Sequence, residues 1–83
     1  MTMTMPERWT PEDFFRVFEL HVRYGQFIER YVNNRVFDQE TADRAVAAVF
    51  HAAVEAGSEI PDPPLPWLIA RARHECAQAR RTA

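Results

Sequence analysis

A cluster of prolines in the second half of the chain restricts the fold more than any other feature, and its members are Pro61, Pro63, Pro64 and Pro66. Each proline fixes its own φ angle and pushes the preceding residue towards an extended conformation. Residues 58–64 are therefore predicted to form a stiff loop. Because proline is tolerated only in the first turn of a helix, the next helix is predicted to begin between Pro64 and Pro66 and to carry Trp67 in its opening turn.

The segment before residue 35 has the apolar spacing of a long helix. Thr10 is a suitable N-cap, and Pro11 suits the first helical position. His21 interrupts the apolar face, Gly25 is expected to bend or split the segment, and Asn33-Asn34 is expected to end it. The residues predicted to form this face recur every three or four positions, and they are Phe14, Val17, Phe18, Tyr24, Ile28, Tyr31 and Val32.

Two further helices are predicted from the same kind of spacing. The second starts after Asp38, a plausible N-cap, and stops at Gly57 in a left-handed conformation. Its predicted apolar face is Ala42, Ala45, Val46, Val49, Phe50, Ala53 and Val54. The third follows the proline loop, and its predicted buried residues are Leu65, Leu68, Ile69, Ala72, Cys76 and Ala79.

The length of 83 residues allows one domain, and two glycines argue against an all-β fold. We therefore predict an all-α, compact three- to four-helix bundle over residues 10–83, after a disordered leader over residues 1–9. The single cysteine, Cys76, excludes an internal disulfide and favours a reducing cytoplasm. No signal peptide and no run of about 18 apolar residues is present, so no membrane contact is expected.

Charge is distributed unevenly along the chain. Residues 1–62 contain six arginines and eleven acidic residues, whereas residues 63–83 contain four arginines and one glutamate, so the two parts carry −5 and +3. All ten basic residues are arginine, whose planar fork suits phosphates and base edges. This asymmetry favours the last helix as a nucleic-acid-facing element. From charge alone, a solvated helix with a cation-rich C-terminus remains the simpler alternative.

The sequence does not contain a convergent set of catalytic or metal-binding residues. His21, His51 and His74 lie on three different segments, and one cysteine with scattered histidines does not match a zinc site. There is no glycine-rich phosphate loop. We therefore expect no enzyme activity, no metal and no cofactor.

The last helix is the better candidate for a binding surface. Arg71, His74, Gln78 and Arg81 share one face, and Arg73 and Arg80 flank it. These side chains can contact phosphates or unpaired base edges. Trp67 is able to stack on a base. Its simpler interpretation is a core aromatic that closes a small bundle, and the residues alone favour that interpretation.

With these residues in view, the chain from about Pro11 to Arg81 resembles region 2 of bacterial sigma factors of the extracytoplasmic-function (ECF) type. The segment from Asp13 to His21 is similar to the opening helix of that domain. The segment Ala42-Asp43-Arg44-Ala45-Val46-Ala47-Ala48-Val49-Phe50 is similar to the family pattern A-E-D-x-V-Q-E-V-F. Pro66-Trp67-Leu68 resembles the start of P-W-L-x-x-I-A-R-N; without a gap, Ala72-Arg73-His74 takes the place of A-R-N.

The resemblance implies two partners for the chain. In the family, the acidic-led helix docks on the clamp helices of the RNA polymerase β′ subunit, which implies a polymerase-facing surface at Asp43, Arg44, Ala47 and Phe50. The loop and last helix open the promoter −10 element and capture a base of the non-template single strand. The DNA-binding residues implied are Ser58, Glu59, Ile60 and Asp62 in the loop, and Trp67, Arg71, Arg73, His74, Gln78, Arg80 and Arg81 on the helix.

Two departures from the family pattern favour an alternative. Arg44 stands where the family usually has an acidic residue, and Ala47 and Ala48 replace glutamine and glutamate, which is expected to weaken binding to the β′ clamp. No helix-turn-helix domain for the −35 element follows Arg81. The chain is therefore expected to be either an excised sigma domain or a stand-alone region-2-like module that binds an anti-sigma partner or polymerase without initiating transcription. A third alternative is an unrelated helical bundle whose resemblance to the family is due to chance.

Overall fold

The computed structural model describes residues 11–82, which form three α-helices. Helix α1 spans Pro11–Asn33, α2 spans Gln39–Ala56 and α3 spans Leu65–Thr82, while one 3-10 turn, Gly57–Glu59, follows α2. These residues contain no strand, so the all-α prediction is confirmed, with three α-helices. The predicted cap Thr10, the predicted leader and the side chains of Asp13 and Phe14 lie outside what the structure describes.

Helix α1 runs through Gly25 without a break, so of the two expected effects, a bend or a split, the split into two helices is wrong. A single glycine destabilises a helix by about 1 kcal/mol relative to alanine, which favourable packing can offset. Here Ile28 and Val32, in the turns that follow Gly25, are completely buried. Tertiary packing of this face therefore outweighs the local weakness of glycine.

Asp38 and Gly57, the residues predicted to begin and end α2, lie at its two ends. Asp38 has extended backbone angles and accepts hydrogen bonds from the Thr41 backbone N–H at 2.9 Å and the Thr41 hydroxyl at 2.6 Å. These bonds, with the hydroxyl contributing most, hold the pKa of Asp38 below its usual value. At the other end, Gly57 has the expected positive φ of 54°, but its ψ of −123° lies outside the left-handed helical region. The chain consequently continues into the 3-10 turn.

The core consists of two groups of buried side chains. The first core cluster joins all three helices, and its members are Ile28, Val32, Ala42, Ala45, Val49, Phe50, Leu68, Ala72 and Cys76. The second core cluster joins α1, α2 and the proline loop, and its members are Val17, Leu20, Ala53 and Ile60. Tyr24 and Trp67 pack against both clusters and connect them.

The predicted apolar face of α1 is correct in its C-terminal half and partly wrong in its N-terminal half. Phe18 was expected in the core, but it is 65% exposed, whereas Leu20 is 5% exposed. Apolar residues occur around most of the circumference of this half of α1, so spacing alone selected the wrong stripe. Phe15 and Val22 are exposed together with Phe18, at 73% and 66%.

Phe50 was expected in two places that exclude one another. Its position on the apolar face of α2 predicts burial, whereas the sigma-factor resemblance places it at a polymerase-facing surface. In the structure Phe50 is 7% exposed, belongs to the first core cluster and meets the ring of His21 edge-on at a centroid distance of 4.7 Å. The prediction of a surface role for Phe50 is therefore wrong, because the side chain is used for packing.

Replacement of Phe50 by alanine should lower the free energy of unfolding by about 3–5 kcal/mol, because the change leaves a cavity in the first core cluster. The matched control is Phe37→Ala, since Phe37 is fully exposed at 105%. Urea unfolding followed by circular dichroism measures both variants. Equal, small losses in the two variants would contradict the assignment of Phe50 to the core.

The two glycines should respond to alanine in opposite directions. Gly25 is helical, and a Cβ built there lies 3.8 Å from the nearest atom of His21, so Gly25→Ala should raise the free energy of unfolding by about 0.5–1 kcal/mol. Gly57 has a positive φ, so Gly57→Ala should lower it by about 1–3 kcal/mol through backbone strain alone. Thermal unfolding measures both variants, and destabilisation by Gly25→Ala would show that the glycine is required for packing.

Candidate nucleic-acid interface

One side chain of the proline loop, residues 58–64, is buried in the core. Ile60 is 2% exposed and packs with Val17, Leu20 and Ala53 in the second core cluster. The Arg16 guanidinium on α1 donates a hydrogen bond to the Ile60 carbonyl oxygen. Ile60 was expected to contact a base, and this prediction is wrong for its side chain, because hydrophobic burial holds it away from the surface. The residue instead anchors the loop to α1.

The polar residues on either side of Ile60 remain accessible. Ser58, Glu59 and Asp62 are all exposed. Pro61 and Pro63 are also exposed, and the Asp62–Pro63 peptide bond is cis. The loop therefore presents hydroxyl and carboxylate groups to the surface from a backbone that is fixed at Ile60.

Trp67 lies at the junction between this loop and α3. The first backbone hydrogen bond of the helix, from the Leu68 N–H to the Pro64 carbonyl, is 3.0 Å long. Trp67 is half-buried and packs against both core clusters, in agreement with its simpler interpretation as a core aromatic. Its exposed part is the only portion that a ligand can reach without a change in the fold.

Arg71 is held by an acidic neighbour on the same helix. Its Nε and one terminal nitrogen lie 3.0 and 2.9 Å from Oε2 of Glu75. The Glu75 side chain is only 15% exposed, and the Arg71 side chain is 41% exposed. The pair neutralises the one acidic residue of α3, so Arg71 contributes less to the predicted interface than the sequence implied.

The remaining predicted residues of α3 form an exposed cationic surface. Arg73, His74, Arg80 and Arg81 are exposed, and Gln78 is exposed beside them. Among the side chains that the structure describes, no acidic group forms an ion pair with Arg73, Arg80 or Arg81. Arg73 and Arg80 are seven residues apart, which places their Cα atoms about 10 Å from each other along one side of the helix. Several phosphates of one strand can be contacted from such a surface.

A fifth arginine, Arg35, lies near this surface, although the sequence did not single it out. Burial raises the pKa of the Cys76 thiol, while the positive charges of Arg35 and Arg80 act in the opposite direction. Both guanidinium groups therefore lie near Cys76, although Arg35 follows α1 and Arg80 is near the end of α3. Arg35 lies in the connection between α1 and α2, so positive charge is present there as well as on α3.

Further arginines and aromatic rings lie next to Arg35 at the C-terminal end of α1. A shallow groove there is lined by Arg23, Gln26, Phe27, Arg30, Tyr31, Asn34 and Arg35. The Arg35 guanidinium carbon stacks 3.7 Å from the centre of the Tyr31 ring. Counting charge over residues 1–62 concealed this group, because acidic residues elsewhere in that segment outnumber it. The i,i+4 spacing of Tyr31 and Arg35 was the available signal.

Of the four residues expected at a polymerase-facing surface, three are exposed, and they lie on α2. Asp43, Arg44 and Ala47 are exposed on one side of the helix. Asp43 accepts a hydrogen bond of 2.8 Å from the Gln39 side chain, and Arg44 lies 3.0 Å from Glu40. The Arg44–Glu40 pair is largely exposed, so it contributes little to stability and can rearrange when a partner binds.

Comparison of the chain with protein-family models, with curated proteins and with solved structures finds no match. Among the described side chains, no three histidine, cysteine or acidic groups form a cluster that could hold a metal ion. No helix within residues 11–82 combines the length and apolar character needed to cross a bilayer.

Proposed function

We propose that this domain binds RNA polymerase and the promoter −10 element in the manner of region 2 of an ECF-type sigma factor. The observation that carries the proposal is the exposed cationic surface of α3, which directly follows a loop fixed at Ile60 and exposed at Ser58, Glu59 and Asp62. The order of these elements agrees with the resemblance described above.

The two parts of the candidate interface suit different parts of a DNA strand. Arg73, Arg80 and Arg81 supply positive charge for the phosphates of the non-template strand. Polar atoms of the loop are available to an unpaired base, as in proteins that capture a base outside the duplex. Because the loop is stiffened by prolines and tied to Arg16, little conformational entropy is lost when it closes on a base.

The proposed polymerase contact uses Asp43, Arg44 and Ala47. These side chains face outward, which a partner helix requires. Arg44 introduces a positive charge where the family usually has a negative one, so we expect weaker binding to the β′ clamp helices than in a typical family member. Phe50 is excluded from this contact because it is buried.

Reversal of charge on α3 should weaken DNA binding and its dependence on salt. For the double variant Arg73→Glu/Arg80→Glu, we expect at least a tenfold loss of affinity for a −10-like non-template single strand. The slope of log K against log salt should fall by about 1.4 when two phosphate contacts are lost. Fluorescence anisotropy over a range of salt concentrations measures both quantities.

The matched control for this experiment is Arg44→Glu, which reverses one exposed arginine on α2 rather than on α3. It should change DNA affinity much less than the double variant does. Unchanged, salt-insensitive binding by Arg73→Glu/Arg80→Glu would rule out the proposed DNA contact.

Arg44→Glu should raise affinity for a purified β′ clamp-helix fragment, by up to about tenfold, because it restores a charge of the family's usual sign. Asp43→Ala should lower affinity, and Glu55→Ala, an exposed change near the other end of α2, should have no effect. Isothermal titration calorimetry measures the three variants. Absence of binding by all of them, including Arg44→Glu, would instead favour a region-2-like module that recognises an anti-sigma partner.

A further inference from the structure

The outward side of α1 carries an apolar stripe that the proposed function does not use. Phe15, Phe18 and Val22 are 73%, 65% and 66% exposed, and their spacing of three and four residues places them in one line. Glu12, Arg16 and Glu19 border the same shallow depression. Two exposed phenylalanines beside an exposed valine are unusual on a surface helix and are typical of an interaction surface.

The charged residues along one edge of this stripe alternate in sign. Their order is Glu12, Arg16, Glu19 and Arg23, with spacings of four, three and four residues. The order of charges is acid, base, acid, base from the N-terminal end of α1, and base, acid, base, acid from its C-terminal end. A second copy of α1 running in the opposite direction therefore places an acid opposite every base, with Glu12 facing Arg23 and Arg16 facing Glu19. In a parallel pair this edge would face the opposite edge of the second copy, so these charge pairs would not form.

The apolar stripe fits nearly the same antiparallel register. Its centre lies midway between Phe15 and Val22, one residue from the centre of the charged set, which is about 1.5 Å along a helix. In this arrangement Phe15 of one copy meets Val22 of the other, and the two Phe18 side chains meet near the two-fold axis. Because both copies move about the two-fold axis, this difference displaces facing residues by two positions, or about 3 Å, which long arginine and glutamate side chains can span.

Arg16 can keep its hydrogen bond to the loop and also face Glu19 of a second copy. One of its terminal nitrogens donates to the Ile60 carbonyl, and the residue also borders the stripe. A guanidinium group has five N–H donors, so the bond to the loop leaves others available for a carboxylate.

From these observations we propose that α1 forms a symmetric, antiparallel contact between two copies of this chain. The partner is identified by the self-complementary order of charges beside a self-complementary apolar stripe. Two-fold dimers are the commonest closed assemblies. A contact over about three turns of one helix buries less than the roughly 1,600 Å² of a standard interface, so the dimer should be weak and concentration-dependent. The proposal does not depend on the proposed function, because it uses a different face of the molecule.

Sedimentation equilibrium of the full 83-residue chain over a wide concentration range tests the proposal. The wild-type chain should show a reversible monomer–dimer equilibrium, and Phe18→Asp should weaken it at least tenfold. Phe37→Asp is the matched control, since Phe37 is fully exposed and lies outside α1, and it should leave the equilibrium unchanged. Circular dichroism confirms that each variant is folded. A wild-type chain that stays monomeric throughout would overturn the proposal and assign the stripe to another occupant.

A charge-swap series tests the antiparallel orientation in particular. Glu12→Arg and Arg23→Glu each convert two favourable contacts of a symmetric dimer into two repulsive ones, so each should weaken dimerisation about tenfold. The double variant Glu12→Arg/Arg23→Glu restores opposite charges in the antiparallel dimer and should recover wild-type association to within a few fold. A double variant no better than either single variant would overturn the proposed pairing.

Discussion

Packing of Trp67 against both core clusters fixes the position at which α3 begins, and the rest of the candidate interface depends on it. Immediately before Trp67 the prolines limit the backbone, and Ile60 is buried while its carbonyl accepts a hydrogen bond from Arg16. The loop and the helix are consequently held to the same core. The exposed loop residues therefore keep a defined position relative to Arg73 and Arg80, which is what the proposed capture of a base beside bound phosphates would need.

The distribution of charge follows from the composition of this core. Among the described residues, no polar or charged residue is classed as buried, and no buried side-chain nitrogen or oxygen lacks a hydrogen-bond partner. Charged groups therefore act at the surface rather than in the interior. On α3 the only acid, Glu75, is paired with Arg71, so the exposed side of the helix is dominated by arginine. Arg35 adds a further positive charge in the connection between α1 and α2.

The sequence was sufficient to predict the helices and most of the core, because caps, prolines and apolar spacing act locally. Asp38 and the start of α3 are examples. Spacing could not decide between Phe18 and Leu20, since apolar residues surround that part of α1 and the buried side depends on where α2 and the loop pack. The resemblance assigned whole segments to partners, but it could not determine which side chains of a segment face outward. Ile60 and Phe50 were misplaced for this reason, and both are core residues.

A three-helix bundle gives each helix one inward and one outward side, and this separates the surfaces of the molecule. The cationic surface lies on α3, Asp43 and Ala47 lie on α2, and the stripe containing Phe18 lies on α1. Substitutions on one outward side need not disturb another, because the inward sides alone build the core. Arg16 is the exception, since it borders the α1 stripe and also holds the Ile60 carbonyl. Among the described residues, Arg16 therefore links the proposed self-association surface on α1 to the loop of the proposed DNA interface.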